Sequence, residues 1–345
     1  AQQPRGTTAP GIALTEFAGV DEVDDPGFVQ PMLATPAERP IEGEHWVYER
    51  KLDGIRLIAV RNRETVRLFT RNGHDRSAAY PEVVEALVGQ RHDRFVADAE
   101  VVAFDGDATS FARLQRRSGL SDPARIRHSG VGVFLYLFDL MHLEGHSCID
   151  LALRDRTKLL SEAFDFDDPL RLSEHLNGDD SGTGRRLLAD ACDRGWEGLI
   201  AKRADSRYRP GRRSPDWLKL KCVARQELVI GGFTAPKGTR MGLGALLVGH
   251  MTDEGLAYAG RVGTGFDDAT LHRLWSLLKA RKRSTSPFVD APERSDVTWT
   301  DPDLVCEVGF TEWTSAGRLR HPRFLGLRDD KAPGEVMREL PASAR

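Results

Sequence analysis

Glu49-Arg50-Lys51-Leu52-Asp53-Gly54-Ile55-Arg56 is the stretch on which the reading of this chain turns. His45 to Asp53 has the character of a strand, and side chains alternate faces along a strand. Glu49, Lys51 and Asp53 are therefore expected on one face. A lysine amine is a nucleophile only when deprotonated, and two carboxylates beside it favour the ammonium. If Lys51 reacts, it needs cations opposite it, either a metal or other lysines. Read alone, the stretch is more simply an ion-paired strand edge.

Working outward, Trp217-Leu218-Lys219-Leu220-Lys221 alternates lysine with leucine, which puts both ammonium groups on one face of a strand. Such a face suits a triphosphate and supplies the positive field that would lower the pKa of Lys51. An edge strand protected by lysines is the competing reading. Asp98-Ala99-Glu100 lies between apolar flanks, and a carboxylate there is costly unless paired, protonated or metal-bound. A salt bridge to a nearby Arg is its simplest explanation. Phe138-Asp139 ends an apolar strand from Val131 to Leu140, so Phe138 is either core or a platform for a base. Glu197 precedes the short strand Leu199-Ile200-Ala201 and Lys202 follows it. Arg318 to Lys331 ends in Arg328-Asp329-Asp330-Lys331 and by itself reads as a charged tail. No GxxxxGK[ST] loop is present, and Gly242-Leu243-Gly244 does not extend into a dinucleotide fingerprint. A bound nucleotide must therefore be held by side chains.

The 345 residues allow about two domains at ~150 residues each. Hydrophobic residues are 40% and charged residues 29%, an ordinary globular balance. The net charge of −3 gives no overall sign of a nucleic-acid partner, but residues 201–225 hold nine Lys or Arg against two Asp. A locally basic stripe of this kind fits a phosphate backbone, or a solvated surface. Cys148, Cys192, Cys222 and Cys306 are widely spaced with no CxxC, so neither a zinc site nor a disulfide is expected, and a reducing cytoplasm fits. No apolar run is long enough for a membrane span, and no signal peptide opens the chain. Ala1 in first place implies a processed or upstream start. Residues 1–27 read as a flexible leader and 28–224 as a first domain with a helix opening at Pro81 and another from Leu187 to Arg194. Residues 225–345 change character. Glu227–Phe233, Gly244–Met251, Leu256–Gly263 and Leu304–Trp313 read as short strands, with one helix from Phe266 to Arg283. That set suggests a small barrel of the OB type.

Taken in order, these motifs resemble those of the nucleotidyltransferase superfamily, which holds the ATP-dependent DNA ligases and the mRNA capping enzymes. Arg71-Asn72-Gly73-His74-Asp75, Trp196-Glu197-Gly198-Leu199-Ile200-Ala201-Lys202, Tyr208-Arg209-Pro210-Gly211-Arg212-Arg213 and Gly326-Leu327-Arg328 are similar to the ligase module of bacterial end-joining ligases. The resemblance spans about Phe28 to Leu340. It implies an α+β nucleotidyltransferase (adenylation) domain with antiparallel sheets and flanking helices, followed by a C-terminal OB-fold β-barrel domain. It implies that Lys51 carries AMP from ATP, that Glu49 sits near the adenine amine, and that Arg56 and Glu100 contact the ribose. Phe138 would stack on adenine, and Arg71 would meet the 5′-phosphate of a nick. Arg213, Lys219 and Lys221 would bind phosphates, while Glu100 and Glu197 would serve a Mg²⁺ or Mn²⁺ ion. Arg328, Asp330 and Lys331 would act on the pyrophosphate leaving group from a mobile OB domain. The family usually has Asp-Gly-Glu where this chain has Asp98-Ala99-Glu100, a tolerable change unless the position needs positive φ.

The expected activity is ATP-dependent sealing of nicks in double-stranded DNA, in repair or end joining, by a monomer at the bacterial nucleoid. A Ku-like end-binding protein is a candidate partner, and no membrane is involved. The chain is either a minimal ligase or a module of a larger protein. An RNA ligase, a capping-type guanylyltransferase, and a non-catalytic OB-fold nucleic-acid-binding protein are the alternatives.

Overall fold

The computed structural model describes residues 21–22, 27–40, 43, 45–178, 182–222, 225–236 and 242–339. Most of the expected leader and the expected boundary at residue 224 lie outside these. Asp21–Glu22, placed in the leader by sequence, pairs instead with His146–Ser147 at a sheet edge.

Two sheets carry the first part of the chain. The first has seven strands, in the order Asp21–Glu22, His146–Ser147, Phe134–Leu143, Arg94–Val102, Ile55–Asn62 and Thr65–Thr70. Leu170–Leu172 adds to it, parallel to Phe134–Leu143. The second has five strands, in the order Leu176–Asn177, Trp46–Arg50, Gly198–Arg203, Arg213–Lys221 and Leu33–Pro36. Alternation decides which faces are buried. Leu57, Ala59, Ala97, Ala99, Leu135 and Leu137 bury one face of the first sheet against helices Pro81–Val88 and Leu153–Ala163. Tyr48, Leu199, Ala201, Leu218 and Leu220 bury the outer face of the second against helix Thr183–Asp193. Ile58, Val60, Val96 and Met141 from the first sheet meet Met32, Tyr208 and Trp217 beside the second, so the remaining faces pack together.

The third sheet has six strands. Its path is Gly255–Val262, Leu246–Thr252, Arg225–Thr234, Val297–Gly309 and Lys282–Arg283, with Arg323–Arg328 also on Val297–Gly309. Leu271, Leu274 and Leu278 of helix Asp268–Lys279 pack on it. That helix is capped by Asp267, whose side chain accepts from Thr270 N at 2.7 Å. The first three expected strands are present within a few residues, but the expected helix to Arg283 stops at Lys279, Lys282–Arg283 being strand. The expected strand Leu304–Trp313 is divided between the long strand Val297–Gly309 and a separate Glu312–Trp313. The pairings among the described residues form an open path, not a closed barrel.

Two expectations change. Cys192 and Cys222 are joined by a disulfide, with Cα atoms 5.1 Å apart. The 30-residue gap looked too wide in sequence, but helix Thr183–Asp193 folds back over the strand that Cys222 follows. The argument from absent disulfides to a reducing compartment therefore falls. Of the described helices, none is long and apolar enough to cross a membrane. Ala99, by contrast, lies in a strand, at a register shift but with no left-handed backbone, so it needs no glycine.

Asp139 and Arg156 are fully buried and lock helix Leu153–Ala163 to the strand that carries Phe138. Arg156 Nε and Nη2 donate to the two Asp139 oxygens at 2.7 and 2.9 Å, and Nη1 donates to the carbonyls of Leu151 and Ser206. Arg156→Met leaves a buried carboxylate without its cation, so denaturant unfolding should show a loss of about 3–5 kcal/mol. A loss within experimental error of zero would mean the pair holds nothing in place.

Candidate active site

The chain crosses from the second sheet to the first at Lys51. Strand Trp46–Arg50 ends one residue earlier, Lys51 N donates to Gly198 O at 2.9 Å, and strand Ile55–Asn62 begins at the far side of Gly54. A Cβ on Gly54 would lie 2.2 Å from Val101 O, so this crossing needs glycine. The expected strand from His45 to Asp53 is therefore shorter, and Asp53 does not share a strand face with Glu49 and Lys51. Its carboxylate accepts instead from Arg225 at 2.9 Å and from Phe111 N at 3.3 Å.

Register then assembles the cationic wall. In the second sheet Ile200 lies across from both Glu49 and Lys219, and Gly198 lies across from Lys221. Leu218 and Leu220 point into the apolar cluster under helix Thr183–Asp193, so Lys219 and Lys221 face the cavity, as their alternation predicted. Glu197 is brought to the same end by Gly198, whose φ of +148° and 1.9 Å approach of a built Cβ to Leu220 O exclude other residues.

The resulting cavity, about 350 Å³, is lined by every residue to which the resemblance gives a role. Glu49, Lys51, Glu197, Arg213, Lys219 and Lys221 come from the second sheet or its ends, and Arg56, Arg71, Glu100 and Phe138 from the first or its ends. Arg328, Asp330 and Lys331 reach in from the end of the last strand of the third sheet.

Lys51 Nζ lies 2.6 Å from Glu197 Oε2. Burial presses the amine's pKa down, but the Glu197 carboxylate outweighs it and holds it above its ordinary value, against the opposing charge of Lys221. Lys221 does depress this pKa, as expected, but the contact with Glu197 outweighs it. Glu197 sits directly on the amine, while both lysines are engaged by Glu339, Lys221 at 2.9 Å. Burial would raise the Glu197 carboxyl, yet Lys51 and Lys221 keep it below its usual range.

Glu49 is buried, with His175 Nε2 at 2.8 Å, Lys202 Nζ at 2.6 Å and Ser173 Oγ donating at 3.3 Å. Burial raises its pKa, but Lys202 and His175 prevail and keep it an anion. Lys202 Nζ also lies 4.4 Å from the Phe138 ring centroid and 4.3 Å from that of Trp217. Arg56 stacks near the same two rings and is paired to Asp98 at 2.8 Å, the salt bridge expected for that buried carboxylate. Tyr208 Oη donates to the other Asp98 oxygen at 2.6 Å. Arg71 is paired with Glu335 at 2.7 Å, and Arg213 donates to Ala34 O. Arg328 forks onto Asp330 with two bonds of 2.8 Å, and Lys331 lies 3.4 Å from Glu227.

Sequence reasoning missed His175, Glu227, Glu335 and Glu339. They stand outside any local motif; Glu227, Glu335 and Glu339 reach the cavity, and His175 reaches Glu49, only through tertiary packing, so no spacing signalled them.

Among the described residues no His, Cys, Asp or Glu cluster of three or more forms a metal cage. A magnesium-type ion needs only one or two carboxylates when phosphate oxygens and water complete its shell. Glu100 fits that requirement: no hydrogen bond or ion pair reaches its carboxyl among the described residues, and burial pushes its pKa up to about 8, against Lys51, Arg56 and Arg328.

Two facing sheets with a lysine at their junction and a C-terminal unit over the cavity define a nucleotidyltransferase of the ligase type. Residues 31–221 match the ATP dependent DNA ligase domain and residues 239–331 the ATP dependent DNA ligase C terminal region. The chain is 42% identical over 327 residues to the multifunctional non-homologous end joining protein LigD of Pseudomonas aeruginosa, covering 92% of this chain and 37% of that one. It is 33% identical over 337 residues to a DNA ligase of Natronomonas pharaonis, covering 92% and 59%. A solved mycobacterial DNA ligase D complexed with ATP and MES superposes with a TM-score of 0.62 at 38% identity, covering 90% of this chain and 98% of that one. The chain spans about two fifths of the length of the LigD relatives it matches. It belongs to the ATP-dependent DNA ligases, close to the ligase domains of LigD.

Glu100 also sets a pH dependence. In the folded chain its carboxyl holds a proton up to about pH 8, whereas in the unfolded chain it loses it near 4.5. The stability it contributes is complete below the unfolded value and is lost as pH rises through about 8. Glu100→Gln escapes that loss. Its melting temperature relative to wild type, without divalent metal, should climb between pH 5 and pH 9, and a difference that stays flat would contradict the assignment.

Proposed function

We propose that this chain seals nicks in duplex DNA by way of AMP carried covalently on Lys51. The observation that carries the reading is the meeting of Lys51, Glu197, Lys219 and Lys221 in one cavity beneath Arg328 and Lys331. In the first step the Lys51 amine attacks the α-phosphorus of ATP. The nitrogen–phosphorus bond forms as the bond to pyrophosphate breaks, and the amine gives up a proton. In the second, an oxygen of the nick's 5′-phosphate displaces lysine and takes the AMP. In the third, the 3′-hydroxyl attacks that phosphate and AMP leaves.

In a reaction of this type positioning and charge neutralisation do most of the work. Phe138 offers a stacking face for adenine, and the Glu49 carboxylate, kept ionised by Lys202 and His175, accepts from its amine. Arg56 holds the ribose end together with Glu100. Lys219, Lys221 and Arg213 neutralise phosphates, Arg328, Asp330 and Lys331 meet the pyrophosphate, and Arg71 takes the 5′-phosphate of the nick. A Mg²⁺ or Mn²⁺ ion on Glu100 and Glu197 would supply positive charge to phosphate oxygens. Glu197 engaged that way no longer stabilises the ammonium of Lys51.

The residue range 28–224 forms the adenylation domain and 225–345 an OB-fold domain, supported by short strands and one helix in the third sheet. DNA is held chiefly through phosphates, so binding weakens with salt. The likeness to LigD supports a role in end joining. A Ku-like recruiter, a monomeric ligase and a place at the nucleoid belong to the same proposal.

Incubation with labelled ATP and with labelled GTP tests the reading. ATP should label the wild type, mass spectrometry should place one AMP on Lys51, and Lys51→Ala should take up none while still binding nicked DNA. Labelling by GTP alone would make the chain a guanylyltransferase, and no labelling at all would leave a DNA-binding protein.

A further inference from the structure

The cavity already holds two carboxylates that belong to the chain's own C-terminal segment. Glu339 lies on Lys219 and Lys221, with its Oε2 2.9 Å from Lys221 Nζ, and Glu335 lies 2.7 Å from Arg71. These are the cations expected to hold phosphate. The backbone of the segment is held by the third sheet and by Trp313 of a neighbouring two-stranded sheet, not by the first two sheets. Met251 N donates to Val336 O at 2.6 Å, Gln226 Nε2 to Met337 O at 2.6 Å, Glu339 N to Gln226 Oε1 at 2.8 Å, and Trp313 Nε1 to Glu339 O at 2.9 Å. Glu339 is thus presented to the lysines by the C-terminal unit.

Two ammonium groups side by side in a largely buried wall repel each other unless an anion lies between them. Side-chain exposure is 16% for Lys219, 8% for Lys221 and 11% for Glu339, so water does little of this neutralising. The other charges facing the pair are Glu227, Glu197, Lys331 and Lys51. Glu197 is 3.8 Å from Lys221 and already bound to Lys51, and Glu227 is shared with Lys331. Glu339 is the carboxylate that bonds both lysines.

We infer that Glu339 is an internal competitor for the phosphate site: it occupies Lys219 and Lys221 when no nucleotide is bound, and again after pyrophosphate has left. The consequence runs in both directions of the first step. Glu339 raises the ATP concentration needed for loading. Once AMP is on Lys51, it also keeps returning pyrophosphate off the lysines it needs for the reverse attack.

The inference rests on Lys51 as the AMP acceptor. The test uses the full chain in three forms: wild type, Glu339→Gln and Glu339→Ala. Two quantities are read by mass: the ATP concentration for half-maximal AMP loading, and the pyrophosphate concentration that strips half the AMP from pre-loaded enzyme. Both should fall roughly five- to tenfold in both variants, the scale of one charge-assisted contact. Melting curves establish that the variants are folded, and the alanine form checks that the carboxylate, not the glutamine amide, is responsible. If the wild type loads but both concentrations stay the same or rise in the variants, Glu339 is a structural or assisting group and the inference is wrong. If the wild type never takes up AMP, the proposed function and this inference fall together.

Discussion

The ion pair between Lys51 and Glu197 is the constraint around which the site is organised. It joins the crossing between two sheets to the start of strand Gly198–Arg203, with Glu197 buried and Lys51 half-buried. A pair in that position keeps the amine protonated, which suits stability and opposes nucleophilic attack. Everything else in the cavity bears on how the pair is opened. Lys221 competes for Glu197 from 3.8 Å, and Glu100 has no partner among the described residues.

The C-terminal unit supplies both signs of charge to this wall. Arg328 and Lys331 come from the end of strand Arg323–Arg328 and Glu335 and Glu339 from the segment after it. Arg328 stays forked onto Asp330 and stacked 4.3 Å from the Phe111 ring, so the unit is docked by bonds that do not involve the lysine. Gln115 donating to Leu327 O at 2.5 Å and Asn72 donating to Asp330 O at 3.2 Å add to that docking. The C-terminal unit is thus held against the cavity by bonds of its own, with its carboxylates on the cations expected to hold phosphate.

Much of this was legible in the sequence, and the exceptions have physical reasons. The alternation of Lys219 and Lys221 with leucine placed both ammonium groups correctly, because one apolar face settles a strand's orientation. The buried Asp98 called for an arginine, and Arg56 answers it. The ammonium of Lys51 was expected from nearby carboxylates, but the partner that decides it, Glu197, could not be named because it lies 146 residues away. Helix Leu153–Ala163 escaped notice because its inward face includes Arg156 beside Leu159 and Leu160, which breaks the apolar period. Glu335 and Glu339 carry no motif, and the disulfide of Cys192 and Cys222 depends on a helix folding back over a strand.

The direct test of the account is the pKa of the Lys51 amine, followed by NMR in protein carrying isotope-labelled lysine. Without metal or nucleotide it should titrate above the ordinary lysine value of 10.5, because Glu197 is on it. Addition of Mg²⁺ should move it downward as Glu197 is drawn away. A Lys51 pKa already below the ordinary value in the metal-free protein, or one that ignores Mg²⁺, would contradict the account.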